Sequence, residues 1–175
     1  MTVSTSDRLI AGFAGLAIAI HVLEAALPSP LPGVKPGLAN VVTLVVLLRY
    51  GWVAAAWVSG LRVLAGSLLL GSLLSPTFFL SACGAAAALL ALAAGKRLPG
   101  HGLSAIGFGV LAALAHMAAQ IVAAYFLFIG HPAILNLVPP LMTAAFVFGL
   151  VSGIIASTVL GILDRQPNSL RAGGS

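Results

Sequence analysis

Charge is what this chain has least of: only 6% of its 175 residues are Asp, Glu, Lys or Arg, where soluble domains carry about a quarter. Apolar residues make up 61%, and the mean hydropathy is +1.16. A domain this small leaves much of its surface exposed, so it cannot hide that apolar content from water. Lipid is therefore the expected solvent. The composition excludes a secreted disulfide scaffold, a nucleic-acid domain and a disordered chain together. Cysteine is nearly absent as well. Cys83 stands alone, which excludes a disulfide and any multi-cysteine zinc or iron–sulfur site.

Acids are scarcer still: Asp7, Glu24 and Asp164 are the only three, far apart in sequence. The clustered aspartates that hold magnesium on a diphosphate are missing, and so is the G-x-x-x-x-G-K-[ST] loop of an ATPase. No paired acids, Ser-His-Asp set or metal-spaced His/Cys group appears. The chain is not expected to be an enzyme by itself, and no cofactor or metal is expected. The net charge of +5 comes from basic residues scattered along apolar sequence. They make no nucleic-acid stripe and read instead as topology signals at the ends of membrane helices. The polar-tipped aromatics, Tyr50, Trp52, Trp57 and Tyr125, are scattered and form no aromatic box.

Long hydrophobic runs are what the sequence does have. A spanning helix needs about 20 mostly apolar residues, and six candidates are present: Leu9–Leu27, Leu38–Arg49, Trp52–Leu74, Phe78–Ala94, Leu103–Ile129 and Leu137–Leu163. The second is short, roughly 18 Å at 1.5 Å per residue. The first is read as retained rather than as a signal peptide, because Glu24 occupies the cleavage region and no A-x-A pattern follows. The expected fold is all-α: a six-helix integral membrane bundle over residues 9–163, with a cytoplasmic N-terminus (1–8) and a cytoplasmic polar tail (164–175). Placing the N-terminus inside puts Arg8, Arg49, Lys96, Arg97, Arg165 and Arg171 on the inner side and Lys35 alone in an outer loop. That asymmetry requires an even number of spans, hence N-in/C-in.

Polar residues at membrane depth are expensive, so each calls for a reason. With this topology Glu24 lies near the outer end of the first helix, and Asn40 at the outer start of the second. Arg62 and His116 fall near mid-depth. Gln120 is one helical turn beyond His116 on the same face. Ser81, Cys83, Asn136 and Thr143 fall in the outer half. The pattern fits a polar cavity open to the outside. Each residue also has a plainer reading: Arg62 pairing with Glu24 to hold two helices together, His116 bonding a neighbouring helix, Lys35 snorkelling to the interface, Cys83 packing. The stretch from Leu27 to Gly37 carries four prolines and two glycines, which forces an extended or re-entrant path. Such backbone is tolerated near membrane depth only against protein or a water-filled cavity, where Lys35 and the loop amides would meet a ligand; the plainer reading is a surface connector. Small residues at helical spacing, Ala11, Gly15 and Ala19 on the first helix and Gly149, Gly153, Ser157 and Gly161 on the last, permit close helix approach.

Leu23-Glu24 through Pro28, Pro30 and Pro32-Gly33-Val34-Lys35, then Gly37-Leu38-Ala39-Asn40-Val41-Val42-Thr43-Leu44, resemble the signature of heptaprenyl diphosphate synthase component I, a family also labelled Gx transporter. The resemblance continues through Arg62-Val63-Leu64-Ala65-Gly66-Ser67-Leu68, Gly71, Phe78-Phe79-Leu80-Ser81 and Gly84. It includes His116 with Gln120, and Leu137-Val138-Pro139 with Gly149 and Gly153. Two departures stand out: Pro36 where the family commonly has leucine, and Met117 where it commonly has asparagine. The family is similar to the substrate-binding S components of energy-coupling factor transporters. That likeness implies a multi-pass protein of the bacterial cytoplasmic membrane, with an outward pocket capped by the first outer loop and no catalysis of its own. It also implies a partner: a transmembrane coupling subunit with ATPases, docked on the Ala11, Gly15, Ala19 ladder. The older synthase label implies instead an accessory subunit in polyprenyl diphosphate synthesis. Glu24, Lys35, Asn40, Arg62, Ser81, His116 and Gln120 are the candidate substrate-binding residues, and their basic balance points to an anionic or strongly hydrogen-bonding ligand.

Overall fold

The computed structural model describes residues 5–26, 38–97 and 103–172, and all regular structure in them is helical. Six α-helices run in order: α1 (Thr5–Ala26), α2 (Leu38–Tyr50), α3 (Trp52–Leu69), α4 (Pro76–Lys96), α5 (Ala105–Ala124) and α6 (Val138–Ala172). A π-helical turn, Tyr125–Ile129, and a 3-10 turn, Pro132–Leu137, join α5 to α6. The proline-rich segment expected to cap a pocket, with Lys35 and Pro36, lies outside the described residues.

Local chemistry explains the breaks. Gly51 separates α2 from α3 with φ 90° and ψ −176°, a conformation open essentially to glycine alone. Ser75 caps α4 by accepting from the Phe78 amide at 3.4 Å, with Pro76 in the first turn, where its missing N–H costs nothing. Ser104 caps α5 in the same way, from Gly107 at 3.2 Å. α3 stops at Leu69, short of the Leu74 expected from hydropathy, because the chain turns through two left-handed residues, Gly71 and Leu74. α6, conversely, continues past Leu163 to Ala172. Apolar composition ends there before helical hydrogen bonding does.

Five helical segments are long and apolar enough to cross a bilayer: Asp7–Ala25, Trp52–Leu69, Pro76–Lys96, Ala105–Ile129 and Pro132–Arg165. The expectation of six full-length spans is corrected to this extent: α2 runs back to the end where α4 and α6 finish, as the Lys96–Leu47 and Arg49–Asp164 contacts place it, but it is too short to cross by itself. α2 has 13 residues, about 20 Å of helix against a hydrocarbon core of about 30 Å. Its surroundings compensate for its length. Every residue from Val41 to Leu47 is buried, because α2 packs against α1, α3, α5 and α6. The longer helices form a ring in the order α1, α3, α4, α5, α6, closed through α2 between α6 and α1. Leu16, Leu23, Trp57, Leu90, Val122, Phe146, Val147 and Ile154 point outward and are exposed, an apolar girdle suited to lipid. The chain is a multi-pass membrane protein.

The tightest seam joins α5 to α6. A Cβ on Gly109 would lie 2.6 Å from the Gly149 carbonyl oxygen, and one on Gly153 would lie 2.5 Å from the Ile106 Cα. These backbones touch because no side chain separates them. The ladder expected on the last helix is thus divided. Gly149 and Gly153 are consumed within the chain, whereas nothing lies within 4 Å of a Cβ on Gly161. On α1, Ala11, Gly15 and Ala19 are all exposed. Arg49 and Lys96 lie at one end of the bundle. There Arg49 Nη1 donates to Asp164 Oδ1 at 2.6 Å, joining α2 to α6. Lys96 Nζ donates to the Leu47 carbonyl at 2.9 Å, which also accepts from the Gly51 amide at 3.2 Å, placing a cation at the negative end of the α2 dipole.

Candidate functional site

Because α2 is short, the ring beyond its N-terminal end is not filled by helix. A cavity of about 380 Å³ occupies that region, with walls from all six helices, within the range of small-molecule sites. Six of the seven candidate residues line it: Glu24 from α1, Asn40 from α2, Arg62 from α3, Ser81 from α4, and His116 and Gln120 from α5. The seventh, Lys35, lies outside the described residues. Asn136 and Thr143, also expected in the outer half, are exposed and do not line the cavity. Thr143 instead donates to the Pro139 carbonyl on its own helix at 2.8 Å. Cys83 is half-buried and does not line it either.

Arg62 is the centre of the polar side. It is 5% exposed, and its Nη1 donates to Asn40 Oδ1 at 2.7 Å. That bond fixes the Asn40 amide with its NH₂ group turned away from the arginine. Glu24, 4% exposed, exerts a favourable Coulombic pull on Arg62. Sequence reasoning anticipated Arg62 against Glu24; the hydrogen bond to Asn40 is an addition that only the packing of α2 on α3 reveals. Among the described residues, Arg62 Nε is buried with no hydrogen-bond partner, and the same holds for His116 Nδ1 and, within α2, for Thr43 Oγ1. A buried polar atom without a partner costs free energy, about 1–3 kcal/mol, so two such atoms on cavity-lining side chains need an explanation.

His116 is seated by a glycine. A Cβ on Gly84 of α4 would lie 2.6 Å from its Nε2, so only the bare backbone admits the ring. The same device recurs across the cavity, where His21 of α1 lies against Gly66 of α3, a Cβ there meeting its Cδ2 at 2.6 Å. His21 was not among the candidates, yet it lines the cavity. Its signal was in the sequence: it stands three residues before Glu24, on the same helix face. Ser67 and Ser152, both buried, also line the cavity and were missed. Neither has a helical spacing from a candidate residue that would have marked it.

The α6 wall is mostly apolar, with Ser152 its one polar lining residue among the described residues. Leu141, Ala145 and Phe148 of α6 face the cavity at spacings of four and three, with Leu137 one turn nearer its mouth. Met117 lines the cavity as well, where the resembling family commonly has asparagine, so Gln120 one turn on is the side-chain amide that α5 contributes. The arrangement can bind and orient a small molecule. No group of three or more His, Cys, Asp or Glu among the described residues is placed to hold a metal ion.

Neither a curated protein nor a solved structure matches the chain. The family profile of heptaprenyl diphosphate synthase component I matches residues 13–159, a stretch that takes in the cavity-lining residues of all six helices. On that match, which covers most of the 175 residues, the chain belongs to the heptaprenyl diphosphate synthase component I family.

Proposed function

We propose that this protein is the small-molecule-binding subunit of an energy-coupling factor-type importer, lying N-in/C-in in a bacterial cytoplasmic membrane. The observation that carries the reading is the cavity. It lies within a single chain, beside a buried arginine held by Asn40, and its polar lining comes from all six helices. A subunit that only scaffolds an enzyme has no need of such a space, since interior voids cost packing energy. With no ATP-binding loop of its own, an importer subunit requires an energising partner. The exposed Ala11, Gly15 and Ala19 ladder on α1 offers it a close-approach face.

Orientation is tested first. Reporter fusions at the C-terminus and between Lys96 and Arg97 are expected to read cytoplasmic, following Arg49 and Lys96, which lie at that end. A periplasmic signal at either position removes the N-in/C-in arrangement.

The family name supports a second reading, an accessory membrane subunit in heptaprenyl diphosphate synthesis. Co-purification separates the two. An ATPase module retained with the protein supports import; a soluble prenyl synthase subunit supports the alternative. Gly15→Leu is expected to abolish the ATPase contact while the isolated subunit keeps its thermal midpoint, because nothing within the chain lies within 4 Å of a Cβ at Gly15. A complex that survives Gly15→Leu unchanged shows that docking uses another face.

A further inference from the structure

The chemistry of the two cavity walls narrows the ligand, on the footing that the cavity binds a small molecule. We propose that the ligand is an amphiphile with one oxygen-acceptor head, a carbonyl or a carboxylate, seated at Arg62 and the N-terminal end of α2, and with a hydrocarbon body lying along α6. Three independent features converge on the head position. The guanidinium of Arg62 is 5% exposed, and its Nε has no hydrogen-bond partner among the described residues. Asn40 spends its carbonyl oxygen on Arg62 Nη1, so the group it has left to offer is a donor. The first turn of α2 begins at Leu38, next to Asn40, and the amides of a helix start carry positive partial charge. Donors therefore outnumber acceptors at this end of the site.

Glu24 sets the limit on charge. It is buried and lines the same cavity as Arg62, and a carboxylate there repels added negative charge, so a head with one acceptor centre fits better than a multiply charged anion. This narrows the anionic or strongly hydrogen-bonding ligand read from the sequence. The body is fixed by the other wall, where Leu141, Ala145 and Phe148 present only hydrocarbon and an aromatic ring. A sugar or amino acid would leave polar groups unpaired there, at the desolvation cost that excludes such ligands from apolar walls.

The test uses the full chain in phosphatidylcholine nanodiscs, titrated with matched probes and followed by calorimetry. 4-Phenylbutanoate and 4-phenyl-2-butanone carry head and body, 4-phenylbutylamine carries a cationic head, butylbenzene has no head, and succinate has no body. The acid and the ketone are expected to bind about tenfold or more tightly than the other three, the scale of one hydrogen bond to a charged donor. Leu141→Asn is expected to narrow the gap between the acid and succinate. Arg62→Gln is expected to narrow the gap between the acid and the amine; if that variant does not fold, Leu141→Asn and the probe series still decide. Equal binding of the amine or of succinate overturns the proposal. Native mass spectrometry of the protein as purified supplies the other arm. A retained amphiphile with an acceptor head supports it. A retained sugar, amino acid or cation overturns it while leaving a small-molecule binder intact. No retained molecule together with no probe binding removes the binder reading as well.

Discussion

Gly153→Val is expected to destabilise the bundle more than any single change at a residue remote from the cavity's polar side. A Cβ at this position would lie 2.5 Å from the Ile106 Cα and 3.0 Å from the Ala105 carbonyl oxygen. These are backbone atoms, which cannot rotate out of the way as a side-chain tip can. Relief requires α5 and α6 to separate, and their seam forms one side of the cavity. Overpacking a filled interior costs about 1–3 kcal/mol, and contact with two backbone groups places this substitution at the upper end. Gly161→Ala, two turns along the same helix, is the control, since nothing lies within 4 Å of a Cβ there. Thermal unfolding in detergent is expected to show a large drop for Gly153→Val and essentially none for Gly161→Ala. Equal effects at the two positions would mean that α5 and α6 are not packed backbone to backbone.

Arg62→Gln is expected to produce the largest effect at the site, in both stability and binding. The change removes the donor to Asn40 and the positive charge facing Glu24. Deleting one of two buried opposite charges costs up to about 3–5 kcal/mol, because the remaining charge stays buried with less compensation. The double variant Arg62→Gln with Glu24→Gln removes both charges, and more than half of the lost stability is expected to return. Ligand affinity separates a purely structural arginine from a binding one. In the double variant, where the fold is restored, affinity should still fall by about 2 kcal/mol, the worth of a charge-assisted hydrogen bond. Undiminished affinity in a folded double variant would assign Arg62 to helix pairing alone.

Much of this was legible in the sequence because the residues concerned were costly where they stood. Arg62, Glu24, Asn40, Ser81, His116 and Gln120 were singled out for being polar at membrane depth, and all six line one cavity. Polarity in an apolar run is a strong signal, since lipid offers no hydrogen bonds to excuse it. His21, Ser67 and Ser152 carried less signal. The two serines can also bond their own helix backbone, which gives a polar residue in a membrane helix an ordinary reason to be there. Small residues were less informative still. Gly153 and Gly161 stand in one ladder with identical spacing, yet one is packed against α5 and the other meets nothing. Which side of a helix that is apolar all round turns inward cannot be taken from its periodicity.

By itself the sequence determined the solvent, the helical class and the bounds of most helices, since these depend on composition and on breakers such as Gly51 and Pro76 acting over a few residues. Only the tertiary structure decided that the middle of the short α2 is enclosed by other helices rather than by lipid. Burial of Val41 to Leu47 follows from α1, α3, α5 and α6 closing around it, and hydropathy cannot tell protein from lipid as the apolar surroundings. The tertiary structure likewise decided that Asn40 holds Arg62 and that Gly66 and Gly84 seat two histidines. Those relations join residues that lie about 20 to 45 positions apart, and only helix packing brings them into contact.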